Sequence, residues 1–323
     1  MNKGSNLFHV KPKSWDEKNH KSKFKDLRGK KPINYYILVT SLILLSYFIL
    51  LSVWPFVYNL FISFWKLNLS SPKIYEKFVG IAYYKQVLTD PVFIKSLTNT
   101  LTYLAIFVVV GLVIALILAE MIHRTYGVVK KIYTAMYFTP VVTSLAATAL
   151  IWKLIYYPKV GVLSTFLTNV FGMEPQTFLQ DPKIALFCII ILDMWKSIGL
   201  ETVILLTGVE EIPESYYEAS LIDGANPFQQ FYKITIPLLR PQIFFLFIIK
   251  SIYVFKVFVP VYMMTTYPQG GPMNSTQVLA LNLYQQSFQN LKFSYGAVVS
   301  LIIFVLMLFF VIMQIRYFRS QVE

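Results

Sequence analysis

Residues Tyr36–Tyr58 read YILVTSLILLSYFILLSVWPFVY, 23 positions without a charged side chain. Crossing the hydrocarbon core of a bilayer as a helix takes about 20 apolar residues, so this run is long enough to span. Five further segments have spanning length: Thr100–Ala119, Tyr133–Trp152, Ile184–Leu206, Ile243–Met264 and Ala297–Ile315. Charge, Gly or Pro bounds each of these later segments. The expected fold class is an all-α integral membrane protein with six transmembrane helices.

Composition agrees. The chain has 323 residues, 56% hydrophobic and 14% charged, whereas soluble domains carry about 25% charged residues. The polar side chains are too few to cover such a chain in water. An even number of spans places both termini on one side. By these boundaries that side holds 17 Lys and Arg, the other holds 9, and Lys196, Lys250 and Lys256 lie within spans. Positive residues favour the cytoplasm. Both termini and the Thr207–Gln242 loop are therefore expected in the cytoplasm, with the protein in the cell membrane. Residues 1–35 read as a basic cytoplasmic tail able to touch anionic membrane lipid; they are dense in lysine and show no signal-peptide cleavage pattern. Residues 36–317 form the six-helix domain and 318–323 a short cytoplasmic tail. The net charge of +13 is unaccompanied by any nucleic-acid-binding motif, so no nucleic-acid partner is expected. Cys188 is alone, and His9, His20 and His123 are far apart. No disulfide, metal site or cofactor is expected.

The loop about 207–242 is polar and organised. Ile212-Pro213-Glu214 reads as a helix start, with Pro at the first position and an acid at the positive end of the dipole. Tyr217 and Leu221, four apart, share a face, and Gly224 is a fitting stop. Asn226-Pro227 starts a second short helix with Asn as cap. Phe228, Phe231 and Tyr232 share its face, and Pro237 and Pro241 end it. Amphipathic helices of this kind either sit in a partner's groove or pack on their own protein.

Glu218-Ala219-Ser220-Leu221-Ile222-Asp223-Gly224-Ala225, followed by Phe231, Ile234, Pro237 and Pro241, resembles the EAA loop of ABC importer permeases. Ser220 and Ile236 depart mildly from the family pattern. Phe78-Val79-Gly80, Asp90-Pro91-Val92-Phe93 and Gly270-Gly271-Pro272 resemble further stretches of the carbohydrate-uptake permeases of the maltose and glycerol-phosphate type, and the likeness runs from about Tyr36 to Tyr317. The resemblance implies a second permease subunit as heterodimer partner, two ATP-binding cassette ATPase subunits and an extracytoplasmic solute-binding protein that delivers a carbohydrate, an oligosaccharide. It implies that Glu218, Ala219, Ser220, Asp223, Gly224, Ala225, Phe231 and Pro237 form the ATPase-coupling contact. The chain has no phosphate-binding G-x-x-x-x-G-K-[ST] loop. It is not read as an enzyme, and ATP hydrolysis is expected on a separate subunit.

Ionisable residues inside a membrane are costly and suggest function. Asp193, Lys196 and Glu201 lie on the fourth segment beside Trp195; Lys250, Tyr253 and Lys256 lie on the fifth. A sugar path needs hydrogen-bonding groups and aromatic faces, which makes Asp193, Trp195, Lys196, Glu201, Tyr253 and Lys256 the candidate substrate pathway. Internal pairing is the competing role: Asp193 and Lys196, three apart, share a face, and the lysines have Asp193 and Glu201 within the same set. Free lysines would suit an acidic sugar. Two alternatives are an ABC permease for a non-sugar solute and an ion-coupled secondary transporter; the absence of visible inverted repeats disfavours the latter.

Overall fold

The computed structural model describes residues 35–67, 75–265 and 269–319. The expected basic tail, apart from Tyr35, lies outside these residues, as do the last four positions. The chain divides into two units after Tyr58.

The first unit is the bulk of α1 (Tyr35–Ile62), a 28-residue apolar helix. Its large side chains, Leu44, Tyr47, Leu50 and Trp54 among them, are exposed. An apolar helix with no buried stripe is a membrane helix, since lipid replaces the protein core as its solvent.

The second unit opens with an antiparallel hairpin, β1 (Trp65–Leu67) and β2 (Tyr75–Phe78), which pairs Trp65 with Phe78 and Lys66 with Lys77. These strands depart from the all-α expectation. Trp65 meets Tyr75 and Phe78 edge-on at 6.0 and 5.5 Å, the kind of cross-strand aromatic contact that stabilises a short hairpin. A short helix α2 (Ala82–Thr89) leads to α3 (Pro91–His123). Asp90 caps α3 by accepting from the Val92 amide at 2.8 Å, with Pro91 behind it where its missing N–H costs nothing. The α3 helix therefore begins nine residues before the expected segment. A π-helical turn, Ala105–Val110, interrupts it.

The expected Tyr133–Trp152 span is not straight. Helix α4 (Gly127–Phe138) runs into a 3₁₀ turn, Thr139–Val142, and α5 (Leu145–Ile155) leaves at 99°. Pro140 denies the ladder a donor there. After α6 (Val162–Phe171) comes α7 (Ala185–Glu210), 26 residues and continuous. The loop supplies α8 (Glu214–Ile222) and α9 (Pro227–Leu238). Helix α10 (Arg240–Phe255) departs from α9 at 68°. The expected Ile243–Met264 span also breaks: α10 stops at Phe255, and α11 (Val259–Met264) follows separately with Pro260 in its first turn. Last come α12 (Leu279–Tyr284) and α13 (Phe293–Arg319).

Among the described residues, three helices are long and apolar enough to cross a membrane, α1, α3 and α13, or five if each bent pair is one span. Helix α7 has the length but carries Asp193, Lys196 and Glu201 within it. The main core gathers Tyr103, Phe107, Leu112, Ile189, Leu192, Leu205, Val254 and Val261 from α3, α7, α10 and α11. A second cluster joins Val87, Phe93, Phe255, Leu279, Val298 and Val299. Helix α7 packs against α3 and α10, which buries Asp193 and Glu201 and leaves Lys196 half-buried.

Candidate functional sites

The charges of α7 have specific partners. Asp193 is buried and accepts from the Tyr103 hydroxyl of α3 at 2.6 Å and from the Tyr253 hydroxyl of α10 at 2.8 Å. Glu201, two turns on, forms a buried ion pair with Lys250 of α10. The Lys250 ammonium also lies 3.9 Å from the centroid of the Phe107 ring, a cation–π geometry. Phe107 stacks on Tyr253 at 5.5 Å, so one aromatic wall serves both acids. Gly111 makes the room: a β-carbon there would stand 2.7 Å from Lys250 Nζ.

Lys196 does not pair with Asp193. Its Nζ donates to the carbonyls of Pro140, Val141 and Thr143 at 3.0, 3.2 and 2.6 Å. Those carbonyls belong to the break between α4 and α5, where helix-end carbonyls lose their ladder amides; that of Pro140 also accepts from the Thr143 amide and hydroxyl at 3.2 and 2.6 Å. Trp195 is 42% exposed, 5.5 Å from Trp152. It lines a cavity of about 540 Å³ together with Tyr137, Pro140 and Met194. Lys256 is apart from this set. It caps the end of α10, exposed, at an apolar recess of about 320 Å³ with Phe258, Tyr284 and Phe288. Of the six pathway candidates, Asp193, Glu201 and Tyr253 therefore share one cluster, Lys196 and Trp195 flank it, and Lys256 stands elsewhere.

In the loop, Glu218, Ala219, Asp223 and Gly224 are exposed, while Ser220, Ala225, Phe231 and Pro237 are half-buried. Glu218 forms no ion pair among the described residues. Gly224 ends α8 at φ +79° with open space around it, a backbone that glycine adopts without cost. Asn226 and Gln229 make a reciprocal capping box at 2.8 and 2.9 Å that starts α9. Tyr217 and Leu221 both line a cleft of about 600 Å³ with Glu120, Arg124 and Glu210. Burial raises the Tyr217 phenol above its usual pKa, so it remains a proton donor. Beyond the cleft the loop presents Ile222, Phe228 and Tyr232, which are 88%, 75% and 64% exposed. Phe231 is less exposed than Phe228 and Tyr232, and a π-helical turn, Phe231–Thr235, begins at it.

A sequence profile described as the binding-protein-dependent transport system inner membrane component matches residues 93–320. The chain belongs to that family. It is 34% identical over 286 residues to a probable ABC transporter permease protein of Pyrococcus horikoshii, an alignment covering 87% of this chain and 94% of that protein. It is 32% identical over 311 residues to the trehalose/maltose transport system permease protein MalF of Thermococcus litoralis, covering 94% and 99%. A crystal structure of a bacterial ABC transporter involved in import of the acidic polysaccharide alginate superposes with a TM-score of 0.77 at 20% identity, over 95% of this chain and all of that one. At that identity the superposition establishes the permease fold. This chain is a membrane permease component of a binding-protein-dependent transport system.

Within that permease the sequence reading missed Tyr103, Phe107 and Gly111, which complete the α7 cluster. They lie in an apolar run where nothing about spacing separates them from packing residues. It also missed Gln230 and Thr235, buried behind the loop.

Proposed function

We propose that this permease is the transmembrane subunit of an ATP-driven importer for a carbohydrate received from an extracytoplasmic binding protein. Six spans with both termini in the cytoplasm put α8 and α9 on the cytoplasmic side, where two ATPase subunits dock; a second permease subunit completes the pore. The observation that carries this reading is the face of α8 and α9. Glu218, Ala219 and Asp223 stand exposed beside Ile222, Phe228 and Tyr232, a surface that a partner covers in the assembled transporter. ATPase closure presses on this face, and α10 follows through the 68° bend. Inward- and outward-facing states then alternate by movement of α10 against α7.

The α7 cluster with Trp195 forms the candidate pathway. Tyr253 and Tyr103 hold Asp193, and Lys250 neutralises Glu201. Neither Lys196 nor Lys250 is left as a free cation in this cluster, and the exposed Lys256 stands outside it, which favours a neutral sugar over an acidic one. The trehalose/maltose assignment of the Thermococcus relative agrees in class.

The test is the Glu218→Arg variant in a strain whose own copy is deleted, with labelled neutral and uronic oligosaccharides offered side by side. The variant is expected in the membrane at the normal level, with ATP hydrolysis no longer tied to uptake. Normal substrate-driven hydrolysis and uptake would refute the docking role of Glu218. If the deletion strain takes up every sugar normally, the carbohydrate reading fails.

A further inference from the structure

Helices α8 and α9 are joined by a short turn at Gly224, whose surroundings are open. A push on α8 alone would swing it about that turn and be lost. Two contacts behind the exposed face prevent this. The Tyr217 hydroxyl of α8 lies 3.0 Å from the Thr235 hydroxyl of α9. The Gln230 amide of α9 donates to the Ser220 hydroxyl of α8 at 2.9 Å and to the Tyr217 carbonyl at 3.4 Å. Thr235 is fully buried and Gln230 is 8% exposed, so water competes little for these bonds. Tyr217 and Ser220 are three apart, which puts both on the inner face of α8 while Glu218 and Ala219 face outward. The connection continues inward. The Leu239 amide donates to the Thr235 carbonyl at 3.0 Å. Leu239, buried at the α9–α10 bend, seats against Gly208 of α7.

We propose that Tyr217 and Gln230 are positioning residues of the coupling loop: their side chains clamp α8 to α9 so that force on the exposed face reaches α10 instead of turning α8 about Gly224. The proposal rests on the reading that α8 and α9 meet an ATPase. In this proposal each acts through the orientation of α8, from the side opposite Glu218 and Ala219.

The experiment uses the whole transporter, reconstituted in liposomes with its ATPase, second permease and binding protein. It measures solute taken up per ATP hydrolysed. Tyr217→Phe keeps the ring and removes one hydroxyl; Gln230→Ala removes the amide. Each is expected to lower the ratio about fivefold, the factor that one lost net hydrogen bond represents, with ATPase still co-purifying in normal proportion. A second variant guards against a folding defect: Ser220→Cys with Gln230→Cys, joined by a short bifunctional thiol reagent. Cross-linking is expected to restore the ratio, and cleavage of the linker to return it to the lowered value. An unchanged ratio in the Tyr217→Phe/Gln230→Ala double variant overturns the clamp. So does loss of the ATPase from the purified variants, which would make these contacts a matter of α8 folding alone. If the wild-type assembly shows no ATP-driven uptake, the functional reading itself fails, a result distinct from either.

Discussion

Removing Lys250 as methionine tests the buried pair directly. Lys250 and Glu201 have side chains 5% exposed each, so solvent screens the interaction little. In Lys250→Met the Glu201 carboxylate keeps its burial and loses its counter-ion, and its Oε2 already has no hydrogen-bond partner. Stranding one member of a buried pair costs about 3–5 kcal/mol. The ammonium's contact with the Phe107 ring, worth up to about 2 kcal/mol when desolvated, is lost within the same total. Replacing both members by apolar residues of similar size is neutral or stabilising by about 1–4 kcal/mol in comparable interiors. The expected result is therefore strongly non-additive: Lys250→Met and Glu201→Met each destabilise by about 4 kcal/mol, and the double variant returns to within about 1 kcal/mol of the parent. The assay is denaturant titration of the purified permease in mixed micelles, with tryptophan fluorescence following unfolding. A double variant as unstable as the sum of the singles would refute the reasoning, because the two charges would then not be answering each other.

Gly111→Ala places a methyl 2.7 Å from the Lys250 ammonium; the expected loss is about 1–3 kcal/mol, read in the same titration, and it should shrink when Lys250 is already methionine. Tyr253→Phe removes one of the two donors to Asp193 and should cost about 1.5–3 kcal/mol, the range for a hydrogen bond to a charged group; no change would mean Asp193 is not held as an anion by this hydroxyl. Asn226→Ala breaks the capping box and should weaken α9 by about 1 kcal/mol, seen as faster amide hydrogen exchange over residues 227–235, with α13 unaffected.

Much of the helical layout was legible because lipid imposes a length. Tyr36–Tyr58 and Ala297–Ile315 each fall inside a single helix, and the Gly224 stop and Asn226 cap stand where local chemistry places them. The breaks after Pro140 and at Phe255 were not legible, because hydropathy averages over a bend that leaves the apolar count unchanged. The hairpin at Trp65–Phe78 was too short to declare itself by alternation. Pairings inside the bundle were the hardest to read. Spacing on α7 suggested Asp193 with Lys196, yet Asp193 meets tyrosines of α3 and α10, and Lys196 meets backbone carbonyls. Periodicity says which residues share a face and is silent about which helix that face will find. Glu201 with Lys250 stood among the open pairings, and only the packing of α10 on α7 selected it.

The lysine at the α4–α5 break bears on biosynthesis. The carbonyls of Val141 and Thr143 find their donor on the side chain of Lys196, 55 and 53 residues later in the chain. A ribosome making roughly 5–20 residues per second delivers Lys196 on the order of 3 to 11 seconds after Pro140. During that interval the bend has polar atoms that hydrocarbon cannot satisfy. If the break lies at hydrocarbon depth, joint entry of the third and fourth apolar stretches into the bilayer is the expected order, with the segment held beside water or within the insertion machinery until α7 emerges.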